Sequence, residues 1–540
     1  MKKLALLLAA ILLLSCCSAL AEFDEKLNLT GLPIWSGDTP AEFTLMIDDS
    51  YDGERVIYDI LEKQTNVHVK LNLAPYQVQL EKLSVALSTG DYDQVIAGWL
   101  LGAKDVIDMG MNGDGTFWAL EDYIAKYAPN IEAVLNLPGV RESMTLPDGH
   151  IYTVPYVVGE PECTFKVYIN QVWLENLKLE MPTTPEELKK VLIAFKEQDA
   201  NGNGDPTDEI PFGGDTNNLN LGMCAGWFGI EAVDNNGYPF FAKKDGKLFF
   251  SANKPEFKQF IEFFADLYKE GLIDPEMFTQ DLETWKAKGN KDLYGVCIGY
   301  GPGDWYTNYE KGTPEYEKYG ENAFTCLPVL KGCDNPLFHR NSNGVTLFRT
   351  QLAITDKADE QTLVLILRWL DNLYVEENSV QATNGPMGIK FNKIGDHLYK
   401  NIYHKVGEDG WTQEDEDKYG WALCFTQSMP RNPGDAVILP YDQDEPEVSF
   451  MDMCDDAYRP YLTEMFKATW GSDESKAERK ATLVTDIKDY VKSKIAQWVS
   501  GEADVNAEWD AYCTQLETYG LTELTEIFAE EQGLEIHENN

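Results

Sequence analysis

Phe43-Thr-Leu-Met-Ile47, closed by the polar triplet Asp48-Asp49-Ser50, opens the stretch from which the fold can be read. Tyr51 to Gln64 follows, with Val56, Ile60 and Leu61 on one face at helical spacing. Val67-His-Val-Lys-Leu-Asn-Leu73 alternates apolar and polar residues, the period of a second strand. Leu80 to Ser88 reads as another helix, and Gly90 is a stop signal. Gln94-Val-Ile-Ala97 is a short apolar strand that ends at Gly98-Trp99. Strand, helix, strand, helix, strand predicts an α/β fold on a parallel sheet with right-handed crossovers. In such sheets ligands bind beyond the carboxyl ends of the strands. Asp48, Asp49, Tyr51, Gly98 and Trp99 stand at those ends.

The pattern continues beyond this first half-sheet. Phe165-Lys-Val-Tyr-Ile-Asn170 reads as a strand and Trp173 to Leu177 as a short helix. Thr183-Thr-Pro-Glu-Glu187 is a helix start: Thr184 can cap, Pro185 suits the first turn, and Glu187 can close a capping box. Leu188, Val191, Leu192 and Phe195 form its apolar stripe. Pro255 to Lys269 is amphipathic, with Phe257, Phe260, Ile261 and Phe264 at core spacing, and Ala477 to Glu531 is mostly helical. At 540 residues the chain is too long for one core, so two or more domains are expected.

The helix over 185–197 delivers Asp199-Ala-Asn-Gly-Asn-Gly-Asp-Pro-Thr-Asp-Glu209. Asp199, Asn201 and Asn203 alternate, and Gly204 permits a sharp turn, as in the first half of an EF-hand loop. The second half departs from that motif. Position twelve is Ile210, and no helix leads out. The oxygens of Asp199, Asn201, Asn203, Asp205 and Glu209 predict a structural calcium loop inside another fold, with Asp208 an alternative to Glu209. The plainer alternative is a solvated Asn/Gly turn.

Composition narrows the function classes. A net charge of −45 repels nucleic acid and anionic lipid. Met1-Lys2-Lys3 and the apolar run Leu4 to Leu14 form an export signal too short to span a bilayer. Two processing sites compete. Leu13-Leu14-Ser15-Cys16 is a lipobox, which would leave a lipidated Cys16, and Ala19-Leu20-Ala21 is an A-x-A site before Glu22. The lipobox is preferred because the apolar run ends there. Either way residues 1–21 are a signal segment, and the protein works outside the cytoplasm. Eight cysteines follow, with no C-x-x-C spacing, so zinc has no support. Cys326 and Cys333 are near enough in sequence to close a small loop, and buried free thiols are the competing reading.

Several phrases carry a family resemblance. They include Leu87-Ser-Thr-Gly-Asp-Tyr-Asp-Gln-Val-Ile96, Leu120-Glu-Asp-Tyr-Ile-Ala-Lys-Tyr-Ala-Pro-Asn130 and Asp148-Gly-His-Ile-Tyr-Thr-Val-Pro155. Tyr168-Ile-Asn-Gln-Val-Trp-Leu174, Pro182-Thr-Thr-Pro-Glu-Glu-Leu188, Asp208-Glu-Ile-Pro211 and Trp498-Val-Ser-Gly501 follow in order. The chain resembles the extracellular family 1 solute-binding proteins, receptors of ABC sugar importers, in their large, calcium-loop-bearing lipoprotein form. The resemblance implies a two-lobe periplasmic-binding-protein type II-like fold, with a hinge and a ligand cleft. Residues 22–160 with 338–392 would form lobe 1, and 161–337 with 393–540 lobe 2. It implies a monomer that delivers a sugar or oligosaccharide to ABC permease subunits, closing around it.

Sugars want aromatic platforms for their CH faces and bidentate polar groups for their hydroxyls. Asp49, Trp99, Tyr156, Trp227, Trp305 and Arg340 are the expected ligand contacts, with Arg431 as a further polar candidate. Ala225-Gly-Trp-Phe-Gly229 and Gly301-Pro-Gly-Asp-Trp-Tyr306 read as loops, where binding residues concentrate. Trp118, Trp173, Trp369, Trp498 and Trp509 lie in helical patterns and are expected in the core. No G-x-S-x-G, H-E-x-x-H or P-loop occurs, and the six histidines have no i,i+4 pair, so no enzyme is expected. A glycan-active hydrolase, or a surface sugar sensor or adhesin, is the alternative.

Overall fold

The structure is a computed structural model. It describes residues 26–537 apart from 50–54, 114, 160–161, 215–219, 236, 310–311, 321, 343–344, 421–423, 427, 433, 442, 446–449, 468 and 471–473. The expected signal segment, Cys16 and Tyr51 lie outside the described residues.

In chain order the elements that position the site are β1 Ala41–Asp48, α1 Val56–Thr65, β2 Val67–Ala74, α2 Tyr76–Thr89 and β3 Val95–Ala97. Next come β4 Lys166–Asn170, α3 Gln171–Leu177, α4 Pro185–Glu197, β5 Ile210–Gly213, β6 Tyr294–Gly299 and β7 Phe324–Cys326. Then follow β8 Leu352–Ile354, α5 Glu360–Leu373 and α6 Phe450–Tyr458. The contacts divide the chain into two compact units. Unit 1 takes residues 1–159, 347–447 and 469–478, and unit 2 takes 160–346, 448–468 and 479–540.

Unit 1 holds a sheet in the order β8-β3-β1-β2. β1 runs parallel to both β2 and β3, and β8 joins antiparallel at the edge. Phe43, Leu45 and Ile47 are buried on one face of β1, whose neighbours on both sides remove its backbone from water. α5 covers that face with Trp369, whose ring meets Phe43 edge-on at 5.4 Å. The βαβαβ reading therefore holds with bounds moved by a few residues, α2 starting four residues early behind Pro75.

Unit 2 holds a sheet in the order β7-β4-β6-β5. α4 starts as its sequence dictates: Thr184 Oγ1 accepts the Glu187 amide at 3.2 Å and Pro185 occupies the first turn. The reciprocal half of the box is shifted. Glu187 Oε2 takes the amide and the hydroxyl of Thr183, one residue ahead of the cap. Leu188, Val191, Leu192 and Phe195 are buried as their spacing predicts. Burying four such side chains stabilises this unit by roughly 1.5–3 kcal/mol each. Helices Glu474–Val499, Val505–Tyr519 and Leu521–Gln532 form the helical C-terminus.

The expected lobe limits do not coincide with this division. Residues 393–447, expected with lobe 2, belong to unit 1, because Cys424, Phe425 and Met429 are buried in its core. Residues 338–342 belong to unit 2, where Phe338 stacks on Tyr458 at 4.2 Å. The expected limits rest on the family resemblance, which does not register where an irregular loop packs.

Candidate functional site

The carboxyl ends of β1 and β3 in unit 1 carry the arrangement best suited to a ligand. Asp48 closes β1, and its Oδ1 accepts the Trp99 amide at 3.0 Å and the Ser428 hydroxyl at 3.2 Å. Burial raises the Asp48 pKa above the usual carboxylate range. Gly98 makes the approach possible. Its φ is +89°, and a Cβ there would stand 1.9 Å from Asp48 Oδ1. The turn leaves Trp99 44% exposed, and Phe348 packs on it with centroids 4.7 Å apart and ring planes near perpendicular. An exposed indole beside a held carboxylate pairs an apolar face with a hydrogen-bond acceptor, the two things a sugar ring offers contacts to.

Behind Trp99 an aromatic row runs inward. Phe348 lies 5.5 Å from Tyr156, and the Arg431 guanidinium lies 5.4 Å from the Tyr156 ring and 5.9 Å from Phe425. Tyr156 is buried, so it backs the site instead of lining it. Arg431 is buried too. Its Nε donates to Thr383 Oγ1 at 3.0 Å and its Nη1 to the Met429 carbonyl at 2.9 Å, and desolvation lowers its pKa. Asp49 departs from the expectation of an open acceptor. Arg55 Nη2 holds its Oδ2 at 3.1 Å with both side chains under a tenth exposed, so the carboxylate is already paired. A surface hollow of about 610 Å³ lies elsewhere in unit 1. It lies at the amino ends of β1 and β2, lined by Thr39, Pro40, Glu42, Glu62 and His68, and offers no aromatic face.

Three expected contacts in unit 2 are taken up by packing or pairing. Trp227 is 1% exposed and stacks over Phe264 at 6.2 Å. Gly226 beside it has no room for a Cβ, which would stand 2.1 Å from the Leu337 carbonyl oxygen. Trp305 is also 1% exposed, packed on Trp285 at 5.1 Å, Phe324 at 5.4 Å and Tyr168 at 5.6 Å. Gly226 beside Trp227, and Gly289 and Gly299 against Trp305, serve close packing, whereas Gly301 and Gly303 have room for a Cβ. Arg340 Nη1 donates to Glu162 Oε1 at 2.6 Å, and Arg459 Nε takes the other oxygen at 2.8 Å. The Arg459 hydrogen bond, with the charges of both arginines, lowers the Glu162 pKa. Arg340 is therefore a structural partner of Glu162.

The loop after α4 is built by its own side chains. Asn201 Oδ1 accepts the Asn203 amide at 3.0 Å, Asn203 Oδ1 the Asp205 amide at 2.7 Å, and Asp199 Oδ2 the Gly204 amide at 3.0 Å. Glu209 Oε1 takes the Ala200 amide at 2.8 Å. Asp199 Oδ1 and Glu209 Oε2 are buried with no hydrogen-bond partner, an arrangement that leaves two desolvated acceptors for a cation. Burial raises the Glu209 pKa. It also pushes Asp292 beside the loop up to about 6, with the charges of Asp208 and Glu209 adding to the shift. Among the described residues no three acidic, histidine or cysteine side chains converge, so any cation here needs the asparagine oxygens as well. Each amide oxygen keeps a second lone pair for that purpose. The residues present thus fit a hard cation. Asp208 instead accepts the Asn203 side-chain amide at 2.8 Å, which favours Glu209 between the two.

Phe348, Ser428 and Asp48 were not singled out as ligand contacts by sequence reading. Only Asp48 carried a signal, its place at the end of β1. The other two reach the site from segments some 250 to 330 positions later in the chain.

Residues 39–319, over half the chain, match the family model for bacterial extracellular solute-binding proteins, and the chain belongs to that family. It is 29% identical to the fructooligosaccharide ABC transporter substrate-binding protein FusA of Streptococcus pneumoniae serotype 4, over 97% of this chain and 96% of that one. A structure of the S. pneumoniae FusA EF-hand mutant in complex with fructo-nystose superposes with a TM-score of 0.75 at 26% identity, covering 90% of this chain and 98% of that one. Alginate-binding protein AlgQ2, solved without calcium ion, shares the fold with a TM-score of 0.70 at 21% identity, over 93% and 100% of the two chains. Among the described residues no helix is long and apolar enough to cross a membrane.

Proposed function

We propose that this member of the extracellular solute-binding proteins is a receptor that binds an oligosaccharide and delivers it to an ABC importer. The observation that carries the reading is the half-exposed Trp99 ring seated beside Asp48 at the carboxyl edge of the unit 1 sheet. Its support from relatives is the sugar ligand named for FusA, whose length the chain matches almost fully. Trp99 stacks on one sugar face, Phe348 braces the indole, and the Asp48 carboxylate, oriented by the Ser428 hydroxyl, accepts from sugar hydroxyls. Capture by hinge closure, which signals occupancy to a permease, is part of this reading. A thermal-shift screen of mono- and oligosaccharides tests it, because a ligand of the folded state raises the midpoint by mass action. A rise with one oligosaccharide family that is lost in Trp99→Ala supports it, and no shift with any sugar overturns it.

In the same reading Asp199, Asn201, Asn203, Asp205 and Glu209 hold one structural calcium ion. Asp199 Oδ1 and Glu209 Oε2 supply the two unpaired buried oxygens. Bound there, the ion would neutralise the loop's carboxylates and fix the turn between α4 and β5. The chain is monomeric and anchored through a lipidated Cys16. Intact mass of the membrane-extracted protein decides the anchor, since an unmodified Glu22 terminus excludes it.

A further inference from the structure

Cys326 ends β7, the edge strand of the unit 2 sheet, where it stands opposite Tyr168 of β4. Cys454 lies on α6 and is fully buried. Met451, Cys454, Asp455 and Tyr458 recur at helical spacing, and this stripe of α6 docks on β4 and the end of β7. The Tyr168 hydroxyl, which donates to the Tyr300 carbonyl at 2.7 Å, lies 3.5 Å from Met451 Sδ, and Lys166 pairs with Asp455 at 2.8 Å. The Tyr458 hydroxyl donates to the Leu327 carbonyl at 2.6 Å. Three anchors on one helical face bring Cys454 into the buried cluster against which Cys326 packs. Cys333, the partner that sequence proximity suggests for Cys326, packs elsewhere. Its Sγ lies 3.0 Å from where a Cβ on Gly229 would stand. All eight described cysteines are unbonded thiols in the structure.

We infer that Cys326 and Cys454 form a disulfide once the exported chain meets an oxidant, and that this bond clamps α6 to the edge of the unit 2 sheet. The oxidant is a disulfide, either on a thiol oxidoreductase or a small molecule. The reaction is exchange in two steps. The Cys326 thiolate attacks one sulfur of the oxidant, forming a mixed disulfide and expelling a thiolate. Cys454 then gives up its proton and attacks the Cys326 sulfur, expelling a second thiolate. Two protein thiols are oxidised, and the incoming disulfide is reduced to two thiols. Cys326 suits the first step because it is only half-buried. The neighbouring Cys454 thiol also lowers its pKa, which favours the thiolate. Cys454 suits the second, being shielded from outside reagents.

The test uses the soluble chain with residues 1–21 removed, incubated with oxidised glutathione, then unfolded and alkylated without reductant. Peptide mapping should find Cys326 joined to Cys454 and the other six thiols alkylated. Cys333→Ser should leave the cross-link intact and Cys326→Ser should abolish it. The bond closes a loop of more than ~100 residues, so the oxidised form should melt on the order of 5–10 °C above the reduced form. Eight alkylated thiols, or a bond between Cys326 and Cys333, overturns the inference. Mapping of the unmutated chain decides it even if Cys326→Ser does not fold.

Discussion

Trp99 and Trp305 each follow a glycine-bearing turn at the end of a sheet strand, yet one ring lies in solvent and the other in a core. After β3, Gly98 turns the chain with φ +89°, and the Trp99 amide caps Asp48, so the ring is left outside. After β6, the turn over Pro302–Asp304 folds the chain back, and Trp305 settles over Gly299 of the strand it just left. A Cβ on Gly299 would stand 2.4 Å from the Trp305 ring. A glycine that turns the backbone exposes its neighbour, whereas a glycine facing an indole makes its seat. Proximity to glycine in sequence does not distinguish the two.

The comparison can be broken most forcefully at Trp305. Trp305→Ala empties a site walled by Trp285, Phe324 and Tyr168, and should destabilise unit 2 by about 3–5 kcal/mol in urea unfolding. A loss under about 1 kcal/mol would mean the ring is not core. Removing calcium comes next. At a 100-fold excess over Kd the ion contributes about 2.7 kcal/mol, so a chelator should lower the midpoint and added calcium should restore it. An unchanged midpoint, together with no bound metal in the purified protein, removes the loop from the account.

Gly98→Ala sharpens the comparison from the other side. The new methyl meets Asp48 at a left-handed φ, so stability should fall by about 1–3 kcal/mol and sugar binding with it. Unchanged binding would show that the turn does not set the platform. The smallest expected effect is electrostatic. Glu121 hydrogen-bonds His150 at 2.6 Å and raises its pKa above the ordinary 6.5. The pair's contribution is present in full below about pH 6.5 and is lost as pH rises through the raised value. The ring is about half exposed, so the change should stay under about 1 kcal/mol and vanish in His150→Gln. A slope that persists in the variant assigns it to other groups.

The parallel sheet of unit 1 was legible because its strands and helices alternate within sixty residues, each with a clean period. The α4 stripe and its Thr184 cap were legible for the same local reason. Trp173, Trp369 and Trp498 are buried as their helical spacing implied. The site was legible only in part. Trp99 could be placed at a strand end, but Phe348 and Ser428 come from a later segment that no local pattern ties to β3. Asp49 read as an open acceptor because Arg55, six residues on, has no periodic signature as its partner. Arg340 failed likewise: Glu162 lies far back in the chain, and its pairing exists only once unit 2 has folded.

Trp99 is the proposed sugar platform of this receptor. Isothermal titration of the unmutated protein and Trp99→Ala, in calcium, with the oligosaccharide that most raises the melting midpoint, tests it directly. Affinity should fall about 10- to 100-fold in Trp99→Ala, the worth of one stacked aromatic face, with the unliganded midpoint unchanged. Equal affinity in the two proteins would contradict it.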